Sequence, residues 1–386
     1  LPDLDPDHAG PLDRMPVRSP LHGAVQVEDY QMVPLLKALA MPRISLFIAD
    51  DVGLGKTVEA GLILSELLLR RRIQRVLILT PAALRSQWKQ EMWNRFALPF
   101  DVVDRDSTQK LRRAVGIDAN PWRAHSRIIS SYYYLRQTDV LEQFRSACRM
   151  PDGAATLPWD LLIVDEAHNL MPAPFGEDSD LCRMLKQITP LFEHRLFLTA
   201  TPHNGHTRCF SGLLEMLDPV RFTRKDDLTD KEKERIKQVV IRRLKREINA
   251  RTNPPRFANR LDPIARVLSF DERGLELDLL AAFGRFRSKL RSVIRQASQK
   301  RHTAGTFAIE ILGKRLLSGP MTFADSWRRC KLGLRDDEQA TDSEVLAAQN
   351  AVEEESDDDS EFEQRQSTAA VIIGSWLKSF ADDVAA

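Results

Sequence analysis

The sequence predicts an α/β fold: a parallel β-sheet sandwiched by helices, followed by an α-helical extension. Three observations carry this. From about Val25 to Pro219, apolar runs of five residues or fewer alternate with amphipathic stretches. Such runs suit strands buried on both faces, and strands alternating with helices build parallel sheets. A Gly-Lys-Thr triplet at 55–57 stands where one run gives way to a helix-like stretch. Beyond Pro219 the apolar spacing turns to threes and fours, the period of one helix face.

Taken in order, residues 1–24 hold Pro2, Pro6, Pro11, Pro16 and Pro20 and read as an extended leader. Strands are predicted at Ile44–Ile48, Val76–Leu79, Ile128–Ile129, Leu161–Val164 and Leu196–Leu198. Helices are predicted at Thr57–Arg71, Pro81–Phe96, Glu142–Met150 and Gly205–Leu217, with a charged helical segment over Asp226–Ile248. These make one α/β lobe over residues 25–250. A helical extension follows over 251–338. Within Asp271–Gln299, Leu275, Leu279, Leu280, Phe283, Phe286, Leu290 and Ile294 recur at three and four residues, so an amphipathic helix is expected. Two further helices, Phe307–Leu317 and Met321–Leu334, are broken at Gly319-Pro320. Residues 339–368 are polar and acidic and are expected to be a disordered linker. Residues 369–386 read as a short helix and tail.

The 386 residues hold 56 Lys+Arg against 55 Asp+Glu, a balance that on its face discourages a nucleic-acid partner. Glu353–Glu363, however, holds eight acids and no base. Setting those eight charges aside turns a net +1 into +9 for the rest of the chain. A basic body is compatible with a phosphate backbone. No stretch approaches the ~18–20 apolar residues of a membrane helix. The acidic, proline-rich start does not have the pattern of a signal peptide. Cys148, Cys182, Cys209 and Cys330 lie far apart with no CxxC pair, so free thiols in a reducing cytoplasm are expected.

Chemistry concentrates at the ends of three apolar runs. Leu46-Phe47-Ile48 is followed by Ala49-Asp50-Asp51-Val52-Gly53-Leu54-Gly55-Lys56-Thr57. Strand, glycine turn, Gly-Lys-Thr and helix together cradle phosphates, because the turn exposes N–H groups and the helix N-terminus favours negative charge. Lys56 would meet the β- and γ-phosphates and Thr57 would hold Mg²⁺. The general pattern has Gly where this chain has Asp50, so alone the segment reads equally well as a surface turn. Leu161–Val164 is followed by Asp165-Glu166-Ala167-His168. Asp165 suits a Mg²⁺ environment, and Glu166 suits the orientation of an attacking water. Alone, such an acid pair is commonly a helix cap. Leu196–Leu198 is followed by Thr199-Ala200-Thr201-Pro202, whose hydroxyls could bridge the site to moving parts.

In this order the three segments resemble motifs I, II and III of the superfamily 2 helicase-like ATPases, in their Swi/Snf family. The resemblance implies a RecA-like P-loop NTPase lobe that uses ATP and Mg²⁺ to move along double-stranded DNA by its backbone. It also implies an acidic start to the phosphate loop, with Glu usual where this chain has Asp51. It assigns Lys56, Asp165, Glu166 and His168 to catalysis, and Asp51, Gly53, Leu54, Gly55, Lys56 and Thr57 to the nucleotide, with Thr57 and Asp165 on the metal. Gln31, after Tyr30, has the spacing of the family's adenine-reading glutamine. Thr199, Ala200 and Thr201 become coupling residues. Thr80, Pro81, Gln87 and Trp88 resemble motif Ia, and Ser130-Ser131-Tyr132 resembles motif Ib, both nucleic-acid contacts. Ile241–Lys245 resembles the end of lobe 1, and Leu316–Pro320 the helical region beyond it.

The second lobe's motifs, with their transition-state arginines, are not found after Arg335. The chain alone is therefore expected to bind Mg-ATP and turn it over weakly. Within the family, the sequence is similar to the Swi/Snf-like ATPase of bacterial DISARM anti-phage systems, which implies partner subunits of a defence complex. It is also similar to a bacterial ATPase that recycles RNA polymerase. A DEAH-type RNA helicase, whose motif residues 165–168 spell, and a nucleotide-gated scaffold stay open as alternatives. Arg70–Arg72 with Arg75, Arg112-Arg113, and Arg242-Arg243 with Lys245-Arg246 are basic clusters that could meet phosphates. The first is more simply a solvated helix face.

Overall fold

The computed structural model describes residues 16–150, 156–203, 205–258, 274–295, 297–335, 339–353 and 359–380. The chain divides into two units, Leu1–Arg260 and Leu261–Ala386.

Among the described residues the first unit is built on seven parallel strands: β1 (Ser45–Ile48), β2 (Val76–Thr80), β3 (Asp101–Val103), β4 (Arg127–Ser131), β5 (Trp159–Val164), β6 (Phe192–Leu198) and β7 (Val240–Ile241). Their order across the sheet is β3-β4-β2-β5-β6-β1-β7. Alternate side chains feed two separate cores, as the two-residue period of a strand requires. On β5, Leu162 and Val164 join one core with Phe47, Leu79 and Phe197, whereas Leu161 and Ile163 join the other with Leu46, Ile48 and Ile78. Helices therefore cover both faces, which is why β1, β2 and β5 are almost wholly apolar.

Five strands and the main helices lie where the sequence predicts them. Two strands differ. β3 carries no apolar run, since Asp101 is exposed and only Val103 is buried. β7 interrupts the segment expected to be helical over Asp226–Ile248, where the helices are Asp230–Val239 and Lys245–Asn249. Two residues of strand are too short to leave a periodic signal.

In the second unit, helices Leu275–Ile294, Gln299–Ser318 and Pro320–Gly333 match the predicted extension. Residues 339–368 do not match the expected linker. Asp342–Glu353 and Asp359–Leu377 are helices, while 354–358, in the acidic run, lie outside the described residues. The polar composition conceals an apolar stripe: Val345 and Ala348 are buried, and Val345 and Val352 pack in one core with Ile373 and Trp376 from the following helix. Gly333 and Gly374 let helices Pro320–Gly333 and Asp359–Leu377 cross closely, because a Cβ on either would stand 1.9 Å from a backbone oxygen of the other helix. Most of the expected leader, 1–15, is likewise outside the described residues, and Ser19–His22 is a short helix. Among the described residues no helix is long and apolar enough to cross a membrane. The four cysteines are free and buried.

Buried polar groups tie β6 to the segments around it. Arg195 on β6 donates to Thr189, Met216 and Leu217 carbonyls, capping the C-terminal end of helix Thr207–Leu217. His194 Nδ1 accepts the Ile44 N–H at 3.2 Å, so this ring must be neutral at that nitrogen. Burial, with Arg72 nearby, pushes its pKa down to about 4 from 6.5. Between those values the unfolded chain holds a proton that the folded chain lacks. The stability from neutral His194 is thus present above pH 6.5 and lost as pH falls toward 4. Melting curves from pH 7 to 4 should fall less steeply for His194→Gln than for the parent chain; equal slopes would contradict this.

Candidate nucleotide-binding site

Because the strands are parallel, the loops after β1, β5 and β6 leave the same sheet edge. Register fixes their alignment: Ile48 pairs with Leu198, and Val164 with Phe197. Beyond the strands, Thr199 N–H donates to Ile48 O at 3.0 Å and Asp165 N–H to Leu79 O at 2.8 Å. A cavity of about 520 Å³ opens at this edge. It is lined by Gly53, Leu54, Gly55, Lys56 and Thr57, by Asp165 and Glu166, and by Tyr30 and Gln31.

The loop at 50–55 needs glycine at two positions. Gly53 and Gly55 have φ of +80° and +90°, a region open mainly to glycine. A Cβ on Gly55 would stand 2.5 Å from Gln31 Nε2. Asp50 is outside that left-handed region, so the loop requires no Gly there. Helix Lys56–Leu69 starts directly after, with Gly55 as its N-cap. Lys56 Nζ donates to Asp50 O at 3.0 Å. Gln31 is buried and pinned at both ends of its amide: Oε1 accepts Glu28 N–H at 3.1 Å, and Nε2 donates to Leu54 O at 2.9 Å. Asp51 lies outside the cavity lining, and its carboxylate accepts the Val52 N–H.

At the end of β5, Asp165 is buried. Its Oδ2 accepts Trp88 Nε1–H at 2.7 Å and its Oδ1 accepts the Glu166 N–H at 2.9 Å. Burial pushes the Asp165 carboxyl above its ordinary value, against the pull of Trp88. Glu166 is held in the left-handed region at φ +46°, a strained backbone for a non-glycine residue. His168 Nδ1 lies 3.1 Å from Glu166 Oε2 and 2.8 Å from Thr199 Oγ1. The contact with His168 holds the Glu166 carboxyl below its ordinary range. His168 therefore bridges the β5 and β6 loops. Thr199 Oγ1 also accepts the Thr201 N–H at 3.1 Å, and Ala200 lies between them.

Residues 30–256 match the SNF2-related domain. The chain belongs to that family. It is similar to the Sulfolobus solfataricus SWI2/SNF2 ATPase core in complex with dsDNA, at 15% identity and a TM-score of 0.45, over 88% of this chain and 67% of that one. It is also similar to the SWI2/SNF2 ATPase core domain of the same organism, at 19% identity and a TM-score of 0.42. That match covers 57% of this chain and 44% of the other.

In this SNF2-related domain, several side chains expected at nucleic acid are buried. Thr80 and Trp88 turn inward to Asp165, Ser130 Oγ donates to Val103 O at 2.7 Å, and the Tyr132 hydroxyl accepts Asn169 Nδ2–H at 2.8 Å. Their polar atoms serve the fold. A sequence shows an aromatic or hydroxyl residue after a strand but not the direction it faces. Gln87 is exposed, lines the cavity and donates to Glu91, whereas Pro81 is half-buried at the end of β2. The basic clusters divide. Arg70 pairs with Glu66, Arg72 donates to Met41 and Pro42 carbonyls, and Arg75 lies over the Trp159 ring. These are structural. Arg242 and Arg246 are exposed, but Arg243 is not.

The sequence offered Arg243 as part of a basic cluster for phosphates; instead it pairs with two buried acids, one of which, Glu59, the sequence did not single out. Asp50 and Glu59 are both fully buried, and Arg243 joins them. Burial, with Asp50 beside it, pushes the Glu59 carboxyl upward. The only sequence signal is an acid inside the apolar stretch Val58-Glu59-Ala60-Gly61-Leu62. For Trp88, the expectation is simpler. Trp88→Phe keeps the ring but leaves a buried carboxylate oxygen short of a donor, which costs about 1–3 kcal/mol. Urea unfolding should show that loss; an unchanged free energy would mean that the indole N–H does not hold Asp165.

Proposed function

We propose that the chain binds Mg-ATP in this cavity and hydrolyses it, as the nucleotide lobe of a motor that tracks double-stranded DNA. One observation carries the reading: Gln31, Lys56, Thr57, Asp165 and Glu166, from segments far apart in sequence, line a single cavity at the C-terminal edge of a parallel sheet. That edge is where open α/β sheets take their ligands. Two glycines and a helix N-terminus give the loop the donor-rich concavity that phosphates need.

The donors fit the reaction. The Thr57 hydroxyl and the Asp165 carboxylate are hard oxygen ligands of the kind Mg²⁺ takes. When bound, Mg²⁺ neutralises charge on the phosphates. Lys56 supplies an ammonium on a flexible stem from the first turn of the helix. Glu166, kept ionised by His168, orients water and accepts its proton as the water oxygen forms the bond to the γ-phosphorus and ADP leaves. His168 and Thr199 connect that carboxylate to the β6 loop, where Thr199, Ala200 and Thr201 would carry the change to moving parts. Duplex DNA as the track is supported by the likeness of the motif set to the Swi/Snf family. A place in a bacterial anti-phage complex rests on the likeness of segments 51–64 and 199–206 alone.

Two substitutions test the roles. Lys56→Ala should abolish measurable nucleotide binding. Glu166→Gln should keep Mg-ATP affinity while lowering hydrolysis by roughly 10²–10⁴-fold, the range for a positioned general base. Hydrolysis measured with duplex DNA and with RNA should be stimulated by the former. Parental hydrolysis by Glu166→Gln, or stimulation by RNA alone, would contradict the reading.

A further inference from the structure

Arg243 is not among the residues that line the cavity, yet it meets two of the segments that do, the one at Tyr30 and the loop that starts at Asp50. Its Nε donates to Asp50 Oδ1 at 3.1 Å, and one terminal nitrogen reaches both Asp50 Oδ2 and Glu59 Oε1. The other terminal nitrogen donates to the Tyr30 carbonyl, and the guanidinium lies 5.4 Å from the Tyr30 ring centroid. The main chain joins in: Arg243 N–H donates to Asp50 Oδ1 at 2.9 Å, and Arg243 O accepts the Asp51 N–H at 3.0 Å. Two residues on, Lys245 Nζ lies 3.3 Å from where a Gly53 Cβ would stand.

We propose that Arg243 is a positioning residue for nucleotide binding: it is the counter-ion that lets an acid stand at the first position of the phosphate loop, and it locks that loop to the Tyr30–Gln31 segment. The proposal rests on reading the cavity as the nucleotide site. Two buried carboxyl groups face one cation, and Glu59 Oε2 has no hydrogen-bond partner of its own. Removing the cation would leave Asp50 charged and buried, a strongly unfavourable state. The loop would have to move to hydrate it. That movement reaches the cavity by two routes. The Asp50 carbonyl is the acceptor for Lys56 Nζ, so it aims the ammonium. Tyr30 carries Gln31, whose amide holds Leu54 O beside Gly55. Lysine cannot replace the planar fork that serves Asp50, Glu59 and Tyr30 together.

The test is the Kd for a fluorescent Mg·ADP, with melting curves taken without nucleotide. Arg243→Leu should weaken binding on the order of 100-fold and Arg243→Lys about tenfold, the scale of a misplaced binding group. Adding Asp50→Asn to Arg243→Leu should recover about tenfold, because the uncompensated charge is gone. General loss of packing would not be repaired by a second substitution outside the cavity. Arg243→Lys keeps stem and charge, so it decides the matter if Arg243→Leu does not fold. Parental Kd for Arg243→Lys overturns the proposal, as does a double variant no better than the single one. Lys56→Ala serves as the control: an unchanged Kd there would sink the nucleotide-site reading itself, separately from Arg243.

Discussion

All seven strands of the first unit run in one direction, and the site depends on that constraint. A parallel sheet delivers every strand's following loop to the same edge. Here β5, β6 and β1 are neighbours in the sheet although they are far apart in the chain. The loop at 50–57, the Asp165-Glu166 pair and the Thr199 loop are consequently set side by side by backbone hydrogen bonds. Their side chains need only small adjustments to share a cavity. Two apolar cores, one on each face, make the register hard to slip, since a shift of one residue would send each core's side chains to the opposite face.

Onto that frame the protein places charge in unusual positions. Asp165 is buried against an indole N–H, Glu166 sits on strained backbone beside a histidine, and Asp50 and Glu59 share one arginine. Each arrangement costs folding free energy if left incomplete. The first and third are completed by a residue from another strand's loop or helix, and His168, from the same loop as Glu166, is itself tied to Thr199 after β6. Folding the sheet and assembling the site are thus one event. His168 shows the same economy, because one ring nitrogen faces both the Glu166 carboxylate and the Thr199 hydroxyl.

What the sequence made visible was local. Apolar runs ending in Gly-Lys-Thr or in Asp-Glu announce themselves within ten residues, so β1, β5 and their loops were readable. The roles of Arg243 and Trp88 were not, since Arg243 meets Asp50 across 193 residues and Trp88 meets Asp165 across 77. Burial was also hidden. Thr80 and Ser130 come at the ends of strands and Tyr132 just after one, as exposed contact residues would, yet they face inward. In the second unit, acidic composition outweighed a stripe of only three apolar positions, at Val345, Ala348 and Val352. Packing against Ile373 and Trp376 is what makes that stripe a helix face.

Hydrogen–deuterium exchange on the chain, with and without Mg·ADP, examines the shared cavity most directly. Slower exchange is expected together at 30–31, 50–57 and 164–168, with smaller changes at 199–201 and 240–244. Protection confined to the phosphate loop, or protection at surfaces away from the C-terminal edge of the sheet, would contradict a single site built from these segments.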